Sequence, residues 1–189
     1  MDAEVRRALK FATDAHGAIN HVRKYTGEPY IVHPIEVMTI VASVPHTKEM
    51  LMAALLHDTV EDTPVTIEDI QVEFGDEVAT LVGWLTDVSK PTDGKRVVRK
   101  AIDRQHTADA PAEAQTVKLA DLLSNSKSIL EHDLNFAAVY LEEKALMLDV
   151  MTKGDATLFA RAKAEVTRGQ SLLLQDKLAK MEAKDEKAV

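Results

Sequence analysis

The chain has 189 residues, enough for one domain with a sizeable core. It contains no cysteine, which excludes disulfides, thiolate metal sites and a cysteine nucleophile. A net charge of −8 and an aromatic content of 4% argue against a nucleic-acid partner, because most of the surface would repel a phosphate backbone and little is available to stack on bases. Hydrophobic residues at 46% and charged residues at 29% fit an ordinary globular protein. No apolar run approaches the roughly 18 residues that suggest a membrane span, and the opening segment lacks the apolar core and cleavage site of a secretory signal. The expected setting is the cytoplasm, with no membrane partner.

Helical periodicity dominates in chain order. Val5, Ala8, Leu9 and Ala12 share one helix face. The spacing of Ile35, Met38 and the Ile40–Val44 stretch predicts a helix over about Pro34–Ser43, with the proline in its first turn. A second helix is expected from about Thr47 to Asp62, where Thr63-Pro64 stops it. Thr66 is a natural N-cap with Asp69 at the third position, ahead of Ile67, Ile70 and Phe74, and Gly75 ends that short helix. Val78, Leu81, Val82 and Leu85 mark the next helix, and Ser89–Gly94 reads as a loop. Further helices are expected over Lys95–His106, Glu113–Leu130, Asn135–Met151 and, after Gly154, Asp155–Lys184, with a frayed end at 184–189. Alternating strand-type patterns are nearly absent. The expected fold is an all-α bundle of roughly eight to ten helices: residues 1–150 form the main domain and 151–189 a helical extension packing on it. Leu172, Leu173, Leu174, Leu178 and Met181 read first as a continuation of that packing and second as a subunit contact, so a homo-oligomer is admitted.

Four ligand-type residues stand out: His33, the adjacent pair His57-Asp58, and Asp121. Imidazole nitrogen and carboxylate oxygen together suit a hard to borderline divalent metal. An apolar stretch, Met52–Leu56, delivers His57 and Asp58 where burial should begin, and a buried charge is costly unless paired or metal-bound. If the helix continues, Glu61 shares a face with His57 and Asp62 with Asp58. Four such groups crowd a helix end that already carries negative partial charge. A solvated acidic terminus and a cation site both remain open on this run alone. Between Lys90 and Arg104, six basic residues face only Asp93 and Asp103, which reads either as a solvated basic helix or as a pocket wall for a phosphorylated substrate. No phosphate loop or dinucleotide fingerprint is present.

Three motifs in order carry a resemblance: Arg23-Lys24 with Gly27-Glu28-Pro29-Tyr30-Ile31 and His33-Pro34; Leu55-Leu56-His57-Asp58-Thr59-Val60-Glu61-Asp62-Thr63; and Val117-Lys118-Leu119-Ala120-Asp121 with Asn125. On these the chain resembles the RelA/SpoT-type HD-domain alarmone hydrolases, in their stand-alone short form (small alarmone hydrolases, the Mesh1-like group), over about residues 4–150. The resemblance implies an HD-domain helical fold and a manganese-dependent enzyme, with one Mn2+ per chain. The reaction would remove 3′-pyrophosphate from guanosine 3′,5′-bis-pyrophosphate or the pentaphosphate, giving GDP or GTP. By matched motif His33, His57, Asp58 and Asp121 would hold the metal. Glu61 and Asp62 would activate and position water. Arg23, Lys24, Asn125 and Tyr140 would contact the nucleotide, and the basic segment represented by Lys90, Lys95 and Arg99 would face its phosphates. The run Leu122-Leu123-Ser124 departs from the family, which usually has a basic residue and then an aromatic or histidine there. This departure keeps adenosine alarmones and NADPH open as substrates. Another HD-family nucleotide phosphohydrolase and a non-catalytic alarmone-binding module are the competing readings. The length leaves no room for the synthetase domain of the long enzymes, so degradation alone is expected.

Overall fold

The computed structural model describes residues 2–186. Its elements are α1 (Ala3–Ala18), α2 (Val32–Val41), α3 (Lys48–Leu56), α4 (Thr59–Asp62), α5 (Ile67–Phe74), α6 (Asp76–Leu85), a 3-10 turn (Pro91–Asp93), α7 (Arg96–Asp109), α8 (Ala112–His132), α9 (Leu134–Leu148) and α10 (Ala156–Glu186). Among the described residues there is no strand, only an isolated antiparallel bridge between Val22 and Pro29 that pins the α1–α2 connection.

Two helices form the centre. α3 packs against α1, α2 and α6, and Ala53, Ala54, Leu55 and Leu56 have no exposed surface. α8 packs against α2, α3, α6, α9 and α10, and buries Val117, Leu119, Ala120 and Leu122. A helix apolar on nearly all sides belongs in the interior, and each of these carries ligand-type residues at its buried end or middle. Local caps follow the sequence. Thr66 Oγ1 accepts from the Asp69 amide at 3.2 Å while Asp69 Oδ2 accepts from the Thr66 amide at 2.9 Å. Gly75 then takes φ +86° between α5 and α6, a backbone region that favours glycine.

One expected helix is two. The segment predicted over Thr47–Asp62 breaks at His57-Asp58. His57 Nδ1 lies 2.8 Å from the Ala54 carbonyl and Thr59 Oγ1 donates to the Leu56 carbonyl at 2.6 Å. Side chains thus take acceptors that a continuing helix would give to amides. The break is local: the Asp62 amide still donates to the Asp58 carbonyl at 3.0 Å, so Asp62 stays one turn beyond Asp58. α2 starts two residues earlier than predicted, leaving Pro34 in the first turn, where its missing amide is harmless.

The C-terminal helix packs on α8 and α9 through Leu158, Ala162 and Val166, all buried. At Gly169 a Cβ would lie 2.7 Å from Leu141 Cδ1, so the glycine permits the close approach of α10 to α9. Farther along the expected packing is only partial: Leu173 contacts the core, whereas Leu174, Leu178 and Met181 are exposed. The helix runs through Glu186 where fraying was expected, and residues 187–189 lie outside the described residues.

Gln115 anchors the segment leading into α10. Its buried side chain donates to the Thr107 carbonyl at 3.0 Å and accepts from the Lys153 amide at 2.8 Å. Gln115→Leu keeps the volume roughly constant but removes the hydrogen bond to the Lys153 amide and one of the two donors to the Thr107 carbonyl, which keeps the Ala110 amide. It is expected to destabilise the fold by about 2 kcal/mol and to lower Tm by about 4–8 °C in a thermal melt.

Candidate metal centre and cleft

The break after α3, the first turn of α2 and the middle of α8 converge. Asp58 Oδ2 lies 3.1 Å from His57 Nε2 and 3.5 Å from His33 Nε2. Asp121 Oδ1 lies 3.2 Å from His33 Nε2 and 3.7 Å from His57 Nε2. One donor atom each of His33, His57 and Asp58 lies within 4.8 Å of the others. Both Nε2 atoms are buried and neither forms a hydrogen bond.

The opposite ring nitrogens are held. His57 Nδ1 meets the Ala54 carbonyl, which accepts only from an N–H; His57 therefore presents Nε2 to the cluster as a lone pair when the ring is neutral. His33 Nδ1 lies 2.9 Å from Ser124 Oγ, and that hydroxyl donates to Glu36 Oε2 at 2.8 Å. With its one hydrogen committed to Glu36, Ser124 can only accept from His33. The relay fixes the His33 proton on Nδ1 and leaves Nε2 bare. Two bare imidazole nitrogens and two carboxylates facing one another fit a divalent cation.

The electrostatics agree. Burial resists ionisation of Asp58 and Asp121, but the neighbouring imidazoles outweigh it and hold both carboxyls well below the usual range. Burial likewise resists charging His57, and the two aspartates overcome it, so its affinity for a proton rises well above normal. The cluster therefore attracts positive charge, and a metal ion can take the proton's place. Tyr30 donates its hydroxyl to Asp58 Oδ2 at 2.6 Å, orienting that carboxylate.

A cleft of about 180 Å³ opens beside the cluster, lined in part by Asp58, Glu61, Asp87, Lys118, Asp121 and Lys144. It is smaller than a typical drug-sized pocket, so it can enclose part of a nucleotide and not the whole. Glu61 Oε1 accepts from the Asp87 amide at 2.5 Å. Burial raises the Glu61 carboxyl to about 7, against the pull of Lys118. Lys100 is paired with Asp87 at 2.6 Å, and Lys118 donates to the Leu85 carbonyl at 3.0 Å. Lys144 and Arg104 line the cleft with no carboxylate within ion-pair distance among the described residues. Burial lowers the Lys144 ammonium from its ordinary value.

The other sequence candidates divide. Asn125 is in the cleft, its Nδ2 donating to Asp121 Oδ1 at 2.6 Å. Asp62 does not line the cleft, and its carboxylate lies 3.9 Å from His21. Arg23 lines a second hollow shared with His33 and Ser124, and its guanidinium sits 5.7 Å from the centre of the Tyr30 ring. Lys24 is outside both, 3.5 Å from Asp133. Tyr140 is buried, with its hydroxyl 3.5 Å from Ser126 Oγ and the Lys144 ammonium 5.1 Å from its ring centre. Of the expected basic wall, Lys90 before the 3-10 turn and Lys95 at the cap of α7 are exposed, Arg99 is half-buried, and none of the three lines the cleft. Lys100 and Arg104, one and five positions on from Arg99, do so instead, because helix rotation turns that stripe inward.

Sequence reasoning missed Tyr30, Asp87 and Lys144 as lining residues, and Ser124 and Glu36 as supports of His33. Tyr30 stood in a quoted motif and Ser124 at a noted departure; Asp87, Lys144 and Glu36 carried no local signal.

Among known proteins, the profile of the HD domain matches residues 8–133. The guanosine-3′,5′-bis(diphosphate) 3′-pyrophosphohydrolase of Aquifex aeolicus is 40% identical over 129 residues, 67% of this chain and 18% of that protein. The bifunctional (p)ppGpp synthase/hydrolase SpoT of Escherichia coli K12 is 44% identical over 86 residues, 46% of this chain and 12% of its own length. The chain thus spans less than a fifth of these curated relatives. A solved structure of a metazoan ortholog of SpoT, described as hydrolysing ppGpp with a role in starvation responses, matches with a TM-score of 0.79 at 29% identity, covering 91% of this chain and 98% of that one.

If the relay through Ser124 orients His33, Ser124→Ala should weaken divalent-ion binding about 10–100-fold with little change in the far-ultraviolet circular dichroism. Competition with a metal-sensitive dye measures it; an unchanged affinity would sink the relay.

Proposed function

The chain belongs to the HD-domain family, and from that premise we propose that it is a metal-dependent hydrolase of (p)ppGpp-type alarmones, releasing 3′-pyrophosphate and leaving GDP or GTP. The observation that carries this reading is the pair of buried, unbonded Nε2 atoms of His33 and His57 facing Asp58 and Asp121 at the edge of a cation-lined cleft. In support, a structure described as that of a ppGpp hydrolase is matched over nearly its full length.

In this reading His33, His57, Asp58 and Asp121 hold one divalent ion, Mn2+ by the resemblance. When bound, the ion supplies positive charge at the reacting phosphate and makes a nearby water more acidic. Glu61 is the better placed of the acidic pair, since it lines the cleft and Asp62 does not. Its carboxylate accepts a proton from the attacking water while the Asp87 amide steadies the other face of the group. The water oxygen bonds to the phosphorus on the 3′ oxygen, the bond between that phosphorus and the 3′ oxygen breaks, and the 3′ oxygen takes up a proton. Lys144, Lys118 and Arg104 face the charge that gathers on the departing pyrophosphate. Asn125 keeps Asp121 in position. Arg23, in the second hollow, is available to the nucleoside end of the substrate.

Residues 1–150 would form the hydrolase unit, with 151–189 as an extension that stiffens α8 and α9. The substrate is a small nucleotide, the expected compartment the cytoplasm, and no nucleic-acid or membrane partner is part of the reading. No described helix is long and apolar enough to cross a membrane. The exposed Leu174, Leu178 and Met181 leave a homo-oligomeric contact open.

The test is product analysis with Mn2+ and guanosine tetraphosphate, its adenosine counterpart and NADPH in separate reactions. Guanosine diphosphate plus pyrophosphate, abolished in Asp58→Ala, is the expected result. Intact guanosine and adenosine alarmones would overturn the reading, and turnover of NADPH alone would move the chain to another HD phosphohydrolase class. Glu61 must be ionised to accept a proton and burial raises it to about 7, so kcat/KM should rise with pH through neutrality. Glu61→Gln should lower kcat about 10²–10⁴-fold and remove that acidic limb.

A further inference from the structure

The end of α1, the turn that follows it and the end of α4 bring together His16, His21 and Asp62, one donor atom of each within 4.8 Å of the others. Asn20 adopts φ 53°, a left-handed conformation that asparagine tolerates, and reverses the chain directly after α1. The His21 amide then donates to the His16 carbonyl at 3.0 Å, which folds one ring against the other with their Nδ1 atoms 3.1 Å apart. Tyr30 stacks on His21, centroids 3.8 Å apart and planes within 11°, and fixes the ring's plane. Asp62 Oδ2 lies 3.9 Å from His21 Nδ1.

His16 is 1% exposed, and its Nε2 has no hydrogen-bond partner. Burial lowers its pKa to about 4, so at neutral pH the ring is uncharged and keeps a lone pair. Whichever nitrogen bears the hydrogen, Nε2 is either a donor without an acceptor or a lone pair without a donor. With the hydrogen on Nε2, the Nδ1 that faces His21 carries the lone pair an ion would take. Two nitrogens bound to one ion at about 2.0–2.1 Å stand roughly 3.0–3.4 Å apart, which the Nδ1 pair already meets. The carboxylate lies 3.9 Å from His21 Nδ1 and must close by roughly an ångström to complete the set, a side-chain rotation available to Asp62 at the exposed end of α4. His21 is half-buried and leaves a route for an ion from solvent.

We propose that His16, His21 and Asp62 form a second divalent-cation site beside the first, suited to a borderline ion such as Zn2+, with its remaining positions open to water or a ligand oxygen. It uses none of the four residues of the first cluster, and it stands whether or not the alarmone reading holds.

The test is ion stoichiometry. Chelator-stripped full-length protein is loaded with Zn2+, desalted and counted by plasma mass spectrometry, with binding followed by dye competition. The expected result is two ions per chain in the wild type and one in His21→Gln, the second affinity falling roughly tenfold or more. Asp62→Asn, at an exposed position, should act in the same direction, and an unchanged thermal melt certifies both folds. A wild-type count of one that neither variant lowers overturns the site, as does a count of two that both variants keep. A wild-type count of one that falls to zero in His21→Gln supports this site and removes the metal from the first cluster, so the two readings fail separately.

Discussion

An imidazole can be buried with one nitrogen bare only if something holds the other, and the centre of this molecule is arranged around that constraint. His57 meets it within its own helix end, through the carbonyl of Ala54. His33 meets it across the bundle, through Ser124 on α8 and Glu36 one turn along α2. The first bond belongs with the break between α3 and α4, and the second requires α2 and α8 to lie at a set distance. The apolar residues that flank the ligands, Ala53–Leu56 on one side and Leu119–Leu122 on the other, pack these helices into that spacing. Stability and site geometry are therefore properties of the same contacts.

Charge is sorted by depth. The protein as a whole carries −8, yet its cleft gathers Lys100, Arg104, Lys118 and Lys144 around the acidic cluster. Lys100 is neutralised by Asp87, whose amide holds Glu61, so one cation is used to build the site and others remain available to a ligand. An acidic exterior repels a polyanion at long range, whereas a small phosphorylated molecule experiences mainly the local field of the cleft. That sorting suits a nucleotide better than a nucleic acid.

The two acids after His57-Asp58 illustrate how far sequence spacing reaches. As a continuous helix the run would stack Glu61 on His57 and Asp62 on Asp58. The helix breaks at His57-Asp58, yet the Asp62 amide still reaches the Asp58 carbonyl; as neighbours on one turn the two acids face different ways, Glu61 into the cleft and Asp62 toward His21. The basic stripe shows the same limit. Its charge was plain in the sequence, but helix rotation decided that Lys100 and Arg104 line the cleft while Lys90, Lys95 and Arg99 do not.

Helical periodicity, the Thr66–Asp69 cap and the chemistry of His33, His57, Asp58 and Asp121 are local properties of the chain, so the sequence by itself determined an all-α fold and the residues suited to a metal. Most boundaries fell within a few residues for the same reason. Contacts between residues far apart in the chain were settled only by tertiary packing: Glu36 with Ser124, Lys144 beside Asp121, and Asp62 against His21. Each depends on the rotation and separation of two helices, set by the volumes of the many side chains packed between them, and no local pattern encodes that sum.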